Sequence, residues 1–145
     1  MKNLKYIVAL MLMLTMGFSY TSCDKDVDPA GPSLTSYTTD VVLSDPGSLS
    51  AAAQTHFTGL VDSTLWWNST GLKVVHSSLR CTESYALQNF NAMIGVEDSE
   101  NDIIQKIIVP MIDEYGVRDF AVTCKLTQDS TQNVIASKVY YAKDY

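Results

Sequence analysis

Val117-Arg118-Asp119-Phe120-Ala121-Val122-Thr123-Cys124-Lys125-Leu126-Thr127, then Gln128-Asp129-Ser130-Thr131-Gln132, then Asn133-Val134-Ile135-Ala136-Ser137-Lys138-Val139-Tyr140-Tyr141-Ala142, decide the fold of this chain. In the first run Phe120, Val122, Cys124 and Leu126 recur at every second position. A period of two puts them on one face of a half-buried strand. The polar linker is short enough for a hairpin loop. The return run carries Ile135, Val139 and Tyr141 on one face, so the two runs pair as an antiparallel hairpin. Cys124 then points into the core.

Working back from the hairpin, the period changes to that of a helix. Ile103, Ile104, Ile107, Ile108, Met111, Ile112 and Tyr115 form a broad apolar stripe, and Gly116 suits its end. Ser99 with Asp102 reads as a capping box, Asp standing in for Glu, and Glu100 and Asp102 complement the positive helix terminus. Pro110 lies inside the stripe, which predicts a kink or a split. A second helix spans Glu83 to Ile94, capped by Thr82. The first runs from an N-cap at Ser48 to about Trp66, burying Leu49, Ala53, Phe57, Leu60, Val61 and Leu65. Residues 72–79 read as a short strand or as irregular structure. Tyr37, Thr39, Val41 and Leu43 alternate as a first strand whose partner the sequence does not fix. The expected class is α+β: a small antiparallel sheet with a C-terminal β-hairpin, packed on about three helices on one face.

The N-terminus carries a different signal. Lys2 and Lys5 precede an apolar run from Tyr6 to Met16. That run is too short for a membrane span, which needs about 20 apolar residues, and fits the core of a secretory signal. Ser22-Cys23 follows. This arrangement resembles the lipobox of bacterial lipoproteins, in the relaxed form found in the Bacteroidetes type, with Tyr20 where the commonest pattern has Leu. The resemblance implies cleavage before Cys23 and acylation of that cysteine with palmitate-like chains. Two or more chains hold a protein firmly on a membrane. Residues 1–22 are then a signal peptide, 23–33 a lipidated tether and 34–145 one domain. Asp24-Lys25-Asp26-Val27-Asp28 resembles the surface-export signal of the same group. The implied location is the outer membrane, lipid-anchored, facing the periplasm or the cell surface.

The whole chain has 10 Lys/Arg against 16 Asp/Glu, a formal charge of −6. Loss of the signal removes Lys2 and Lys5 and no acid, giving −8. Such a surface excludes nucleic acid as a partner, because phosphate binding needs basic patches. With Cys23 acylated in an oxidising compartment, Cys81 and Cys124 remain as an even pair, and a disulfide between them is expected.

Catalytic motifs are lacking. No phosphate loop, nucleophile elbow or His-Glu-x-x-His is present. His56 and His76 read as structural or surface residues. Glu97 to Asp102 is dense in acid but lacks the calcium-loop pattern, and capping accounts for it. No catalytic residue, metal site or cofactor is expected. Trp66, Trp67 and Tyr140 are candidate binding aromatics, since adjacent aromatics on one element point different ways and exposed ones stack on sugars or anchor partners. Ser63 and Ser130, in Asp62-Ser63-Thr64 and Asp129-Ser130-Thr131, resemble the O-glycosylation motif of Bacteroidetes exported proteins. The expected function is a lipid-anchored, non-enzymatic domain binding a protein or a glycan. An inhibitor or immunity-type protein acting on an enzyme is the alternative, and a small hydrolase with an unrecognised site the third. The binding reading requires an apolar or aromatic patch left exposed after folding.

Overall fold

The computed structural model describes residues 32–67, 72–73, 75–95 and 97–145, and of Trp66, Trp67, Leu72 and Lys73 the backbone alone. Cys23 and the signal and tether lie outside the described residues. The strands are β1 (Thr35–Asp45), β2 (Trp66–Trp67), β3 (Leu72–Lys73), β4 (Ser78–Cys81), β5 (Ala121–Gln128) and β6 (Asn133–Tyr141). The helices are α1 (Ala51–Thr64), α2 (Glu83–Ile94) and α3 (Val109–Tyr115), with a π-helical stretch, Ile104–Ile108, leading into α3. The fold is α+β, and the C-terminal hairpin pairs β5 with β6 from Gln128↔Asn133 to Ala121↔Tyr141.

The sheet is antiparallel in the order β4-β1-β5-β6, and β2 pairs with β3 apart from it. The first strand therefore finds two partners, β5 along its length and β4 at its start. One face of the sheet is covered. Tyr37, Val41, Val122, Cys124 and Leu126 from the strands meet Phe57 and Val61 of α1, Phe90 and Met93 of α2, and Ile104, Ile107, Ile108 and Met111 before and within α3. Burial of this apolar surface, at about 25 cal/mol per Å2, is the main stabilising term.

Local chemistry sets the helix ends. Ser50, two residues beyond the expected Ser48, caps α1 by accepting from Ala53 N–H at 3.2 Å. Thr82 caps α2 as its position predicts. Asn101, not Ser99, caps the third helical region: its Oδ1 accepts from Ile103 N–H at 3.0 Å and Ile104 N–H at 3.2 Å. Asp98–Glu100 form a separate 3-10 turn, and Asp102 instead pairs with Lys106 at 2.9 Å. The expected kink at Pro110 takes the form of the π-helical stretch. Val109 N–H reaches back five residues to Ile104 O, and Pro110 falls in the first turn of α3. The missing proline N–H is harmless at a helix start.

The hairpin departs from simple alternation. The register slips between Leu126↔Ala136 and Thr127↔Val134, leaving Ile135 as the extra residue of a bulge. From Ala136 onward the alternation is reversed relative to Ile135. Ala136, Lys138 and Tyr140 lie opposite Leu126, Cys124 and Val122 and share their inward face. The sequence pattern placed Ile135, Val139 and Tyr141 together, and the bulge breaks that grouping.

Candidate functional site

The face of the sheet away from the helices is open. Its rows run across three strands: Val42–Thr123–Val139, Asp40–Lys125–Ser137 and Thr38–Thr127–Val134, with Tyr141 beside Ala121 at one end. The large apolar residues exposed among the described ones all lie here: Val42 (42 %), Val134 (54 %), Val139 (43 %) and Tyr141 (50 %). Tyr141 stands near Lys143, whose ammonium is 5.4 Å from the ring centre. A cation over an aromatic face is attracted by the ring's quadrupole.

Tyr140, the expected binding aromatic, is a core residue at 2 % exposure. The reason is the bulge, which reverses the phase of β6. Asn101 Nδ2 donates to the Tyr140 hydroxyl at 2.8 Å, and burial pushes the phenol up to about 12 although that hydrogen bond pulls it down. The principle that neighbouring aromatics split between core and surface holds, but the exposed member is Tyr141. Trp66 and Trp67 form β2, and their side chains lie outside the described part of the structure.

No disulfide joins Cys81 to Cys124, which corrects the expected pairing. Cys81 lies opposite Thr35 and Cys124 opposite Val41, on either side of β1. Six residues along a strand is about 20 Å, against the roughly 7 Å that a disulfide tolerates between Cα atoms. Both are buried. Burial pushes the Cys124 thiol up to about 12 against the pull of Lys138, so it stays protonated and unreactive.

Ser63 and Ser130 are both exposed, one near the end of α1 and one in the hairpin loop. Asp129, beside Ser130, is committed to the fold. Its carboxylate accepts from Thr38 Oγ1 at 2.7 Å and from Ser78 Oγ, and its N–H donates to Ser36 O at 2.9 Å. The loop is thereby clasped to β1 and β4.

Each histidine has a carboxylate beside it. His56 Nδ1 lies 2.9 Å from the Tyr115 hydroxyl and 3.3 Å from Glu114 Oε2, linking α1 to α3 at the surface. Burial and the Glu114 charge raise the Tyr115 phenol, so it is not primed as a nucleophile. His76 Nδ1 lies 3.4 Å from Asp62 Oδ1. Its other nitrogen faces the backbone of Val41, at 3.2 Å from the carbonyl oxygen. His76 closes one end of an open groove of about 350 Å3 lined also by Val41, Leu43, Pro46, Gln54, Phe57 and Thr58. His76 adopts a φ of 56° to reach this position, a conformation few non-glycine residues hold. Among the described residues no group of three His, Cys, Asp or Glu side chains is placed to hold a metal ion, and no helix is long and apolar enough to cross a membrane.

The chain matches no protein-family model, no curated protein and no solved structure. Any functional reading therefore rests on the open face, the groove at its margin and the N-terminal sequence.

Proposed function

We propose that this chain is a lipid-anchored extracytoplasmic protein whose domain binds a protein or glycan partner without performing chemistry on it. The observation that carries the binding half is the concentration of Val42, Val134, Val139 and Tyr141 on the helix-free sheet face. Scattered exposed apolar residues carry no message, whereas their gathering on one flat surface marks a recognition site. An amphipathic tyrosine at the margin of that face suits either a sugar ring or a protein surface. The anchoring half is supported by the order basic start, apolar run, Ser22-Cys23. Acyl chains on Cys23 place the protein at the outer membrane, facing the periplasm or the cell surface. O-glycosylation at Ser63 or Ser130 is compatible with the exposure of both.

The test has two arms. Cells expressing the full chain are labelled with palmitate, beside a Cys23→Ala variant. Label on the native protein in the membrane fraction, lost in the variant, supports the anchor, and an unlabelled native protein overturns it. The native protein and Tyr141→Ser are then compared on a glycan array and by cross-linking at the envelope. Loss of a partner in the variant with unchanged thermal stability supports the open face as the binding surface. Equal binding by both proteins overturns it.

A further inference from the structure

The groove beside β1 has a property that the flat face lacks: it exposes strand backbone. β4 pairs with β1 only from Thr35 to Thr38, and among the described residues no strand pairs with the rest of β1 on that side. His76 fills the next positions. Its N–H donates to Thr39 O at 2.8 Å, extending the ladder by one bond. Its Nε2 then sits 3.2 Å from Val41 O and 3.4 Å from Val41 N, covering both backbone groups as a paired strand residue would. In an antiparallel sheet the N–H and C=O of alternate residues point the same way. The amide and carbonyl of Leu43 therefore face the same side as those of Thr39 and Val41, into the groove. Backbone groups of this kind are strong, obligatory hydrogen-bonding partners.

We propose that this groove takes an extended peptide segment by strand addition, in line with β4 and beyond His76; the assignment rests on the reading of this domain as a binding module and selects a polypeptide over a glycan. β1 keeps a regular register as far as Leu43 and shifts between Leu43 and Asp45, so from Val41 the regular edge is about 7 Å long at ~3.3 Å per residue, enough for two or three extended residues. Leu43 supplies the main-chain pair. The apolar floor of Leu43 and Phe57 receives one inward side chain of the peptide, and the walls, Gln54 and Thr58 of α1, are uncharged. The fitting segment is therefore extended, with an aliphatic residue at the inward position and no charge there. Main-chain bonds give affinity in this mode and alternate side-chain pockets give selectivity. The other long edge, β6, is unsuited to the same role. Both edges shift register, β1 between Leu43 and Asp45 and β6 at Ile135, but β6 alone also turns a lysine, the exposed Lys138, to the inward side, a device that blunts a sheet edge.

The probe is a set of linear seven-residue peptides selected by phage display on the full-length protein in detergent, followed by amide-resolved NMR with the selected peptide. Strand addition predicts that exchange of the Leu43 amide slows at least about tenfold on binding. Peptides N-methylated at alternate positions should lose about tenfold in affinity at one parity and little at the other. Thr58→Arg, an exposed helix position, fills the groove and should weaken binding about tenfold or more while the melting temperature stays unchanged. Peptides that bind while leaving Leu43 unaffected and shifting Val139 and Tyr141 overturn strand addition and leave the binding-module reading intact. A glycan that binds while no peptide is selected has the same meaning. Failure to bind peptide, glycan or envelope protein removes both. A dimer in solution that Thr58→Arg dissolves assigns the groove to a second copy and overturns the peptide.

Discussion

The Asp129 carboxylate accepts a 2.7 Å hydrogen bond from the hydroxyl of Thr38, ninety-one residues earlier in the chain. Its other oxygen accepts from Ser78. One loop residue of the hairpin thus ties β5–β6 to β1 and β4 at once. Hydrogen bonds to a charged acceptor contribute about 1.5–3 kcal/mol each, less where solvent competes. Asp129→Ala is expected to lower unfolding stability by about 2 kcal/mol in urea, and Thr38→Val by about half of that. Equal midpoints for Asp129→Ala and native protein would show that the clasp is incidental.

Gly47 and Asp119 form a second long-range contact. Gly47 has a φ of 51°, and a Cβ there would sit 2.3 Å from the Asp119 carbonyl oxygen. Gly47→Ala meets both a left-handed backbone and a backbone clash, so a loss of about 2 kcal/mol or more is expected from thermal melts. Asp119 itself accepts from Ser48 N–H at 3.0 Å and Ser48 Oγ at 2.9 Å, which hold its carboxyl below the usual range. A depressed acid contributes stability that is present above its unfolded value and disappears as pH falls through the folded one. Asp119→Asn should therefore flatten the acid limb of the stability profile, with Ser48→Ala, which keeps the backbone N–H, flattening it only in part, and an unchanged limb in Asp119→Asn would refute the assignment.

At alkaline pH the sign reverses. Cys124 and Tyr140 are raised from ordinary values of 9.0 and 10.0 to about 12 by burial. A group that holds its proton more tightly when folded contributes stability that is complete below its unfolded value. Stability should thus decline from about pH 9 toward 12, with Cys124 contributing up to about 1.4 kcal/mol per pH unit. Cys124→Ala should shift the onset of that decline upward. The same burial predicts that iodoacetamide modifies Cys124 only after denaturation, which peptide mass mapping reads directly.

Asn101 couples a cap to the sheet. It accepts from two backbone amides at the start of the third helical region and donates to Tyr140, all at 2 % exposure. Asn101→Ala is expected to cost about 2–3 kcal/mol, above an ordinary cap replacement, because a buried phenol also loses its donor. Tyr140→Phe should cost about 1 kcal/mol. If the two variants melt alike, the capping contribution is absent.

The architecture was legible where periodicity was strong. The stripe from Ile103 to Tyr115, the helix capped by Thr82 and the alternation from Phe120 to Leu126 each follow from spacing alone. The cap expected at Ser99 falls on Asn101, because the 3-10 turn at Asp98–Glu100 moves the helix start. The site was legible in kind but not in position. The pair Tyr140-Tyr141 announced one exposed aromatic, and a single extra residue at Ile135 decided which. The groove at Leu43 had no sequence signal, because it arises from where β4 stops and not from what β1 contains. The cysteine pairing failed for a related reason. Parity of count is blind to register, and register is a property of the whole sheet.

With a strand and six residues of offset between them, Cys81 and Cys124 cannot be joined to each other without pulling β1 away from its neighbours. A domain of this length buries enough core to fold without a staple. What governs the lifetime of the domain is the rate at which its packed layers separate.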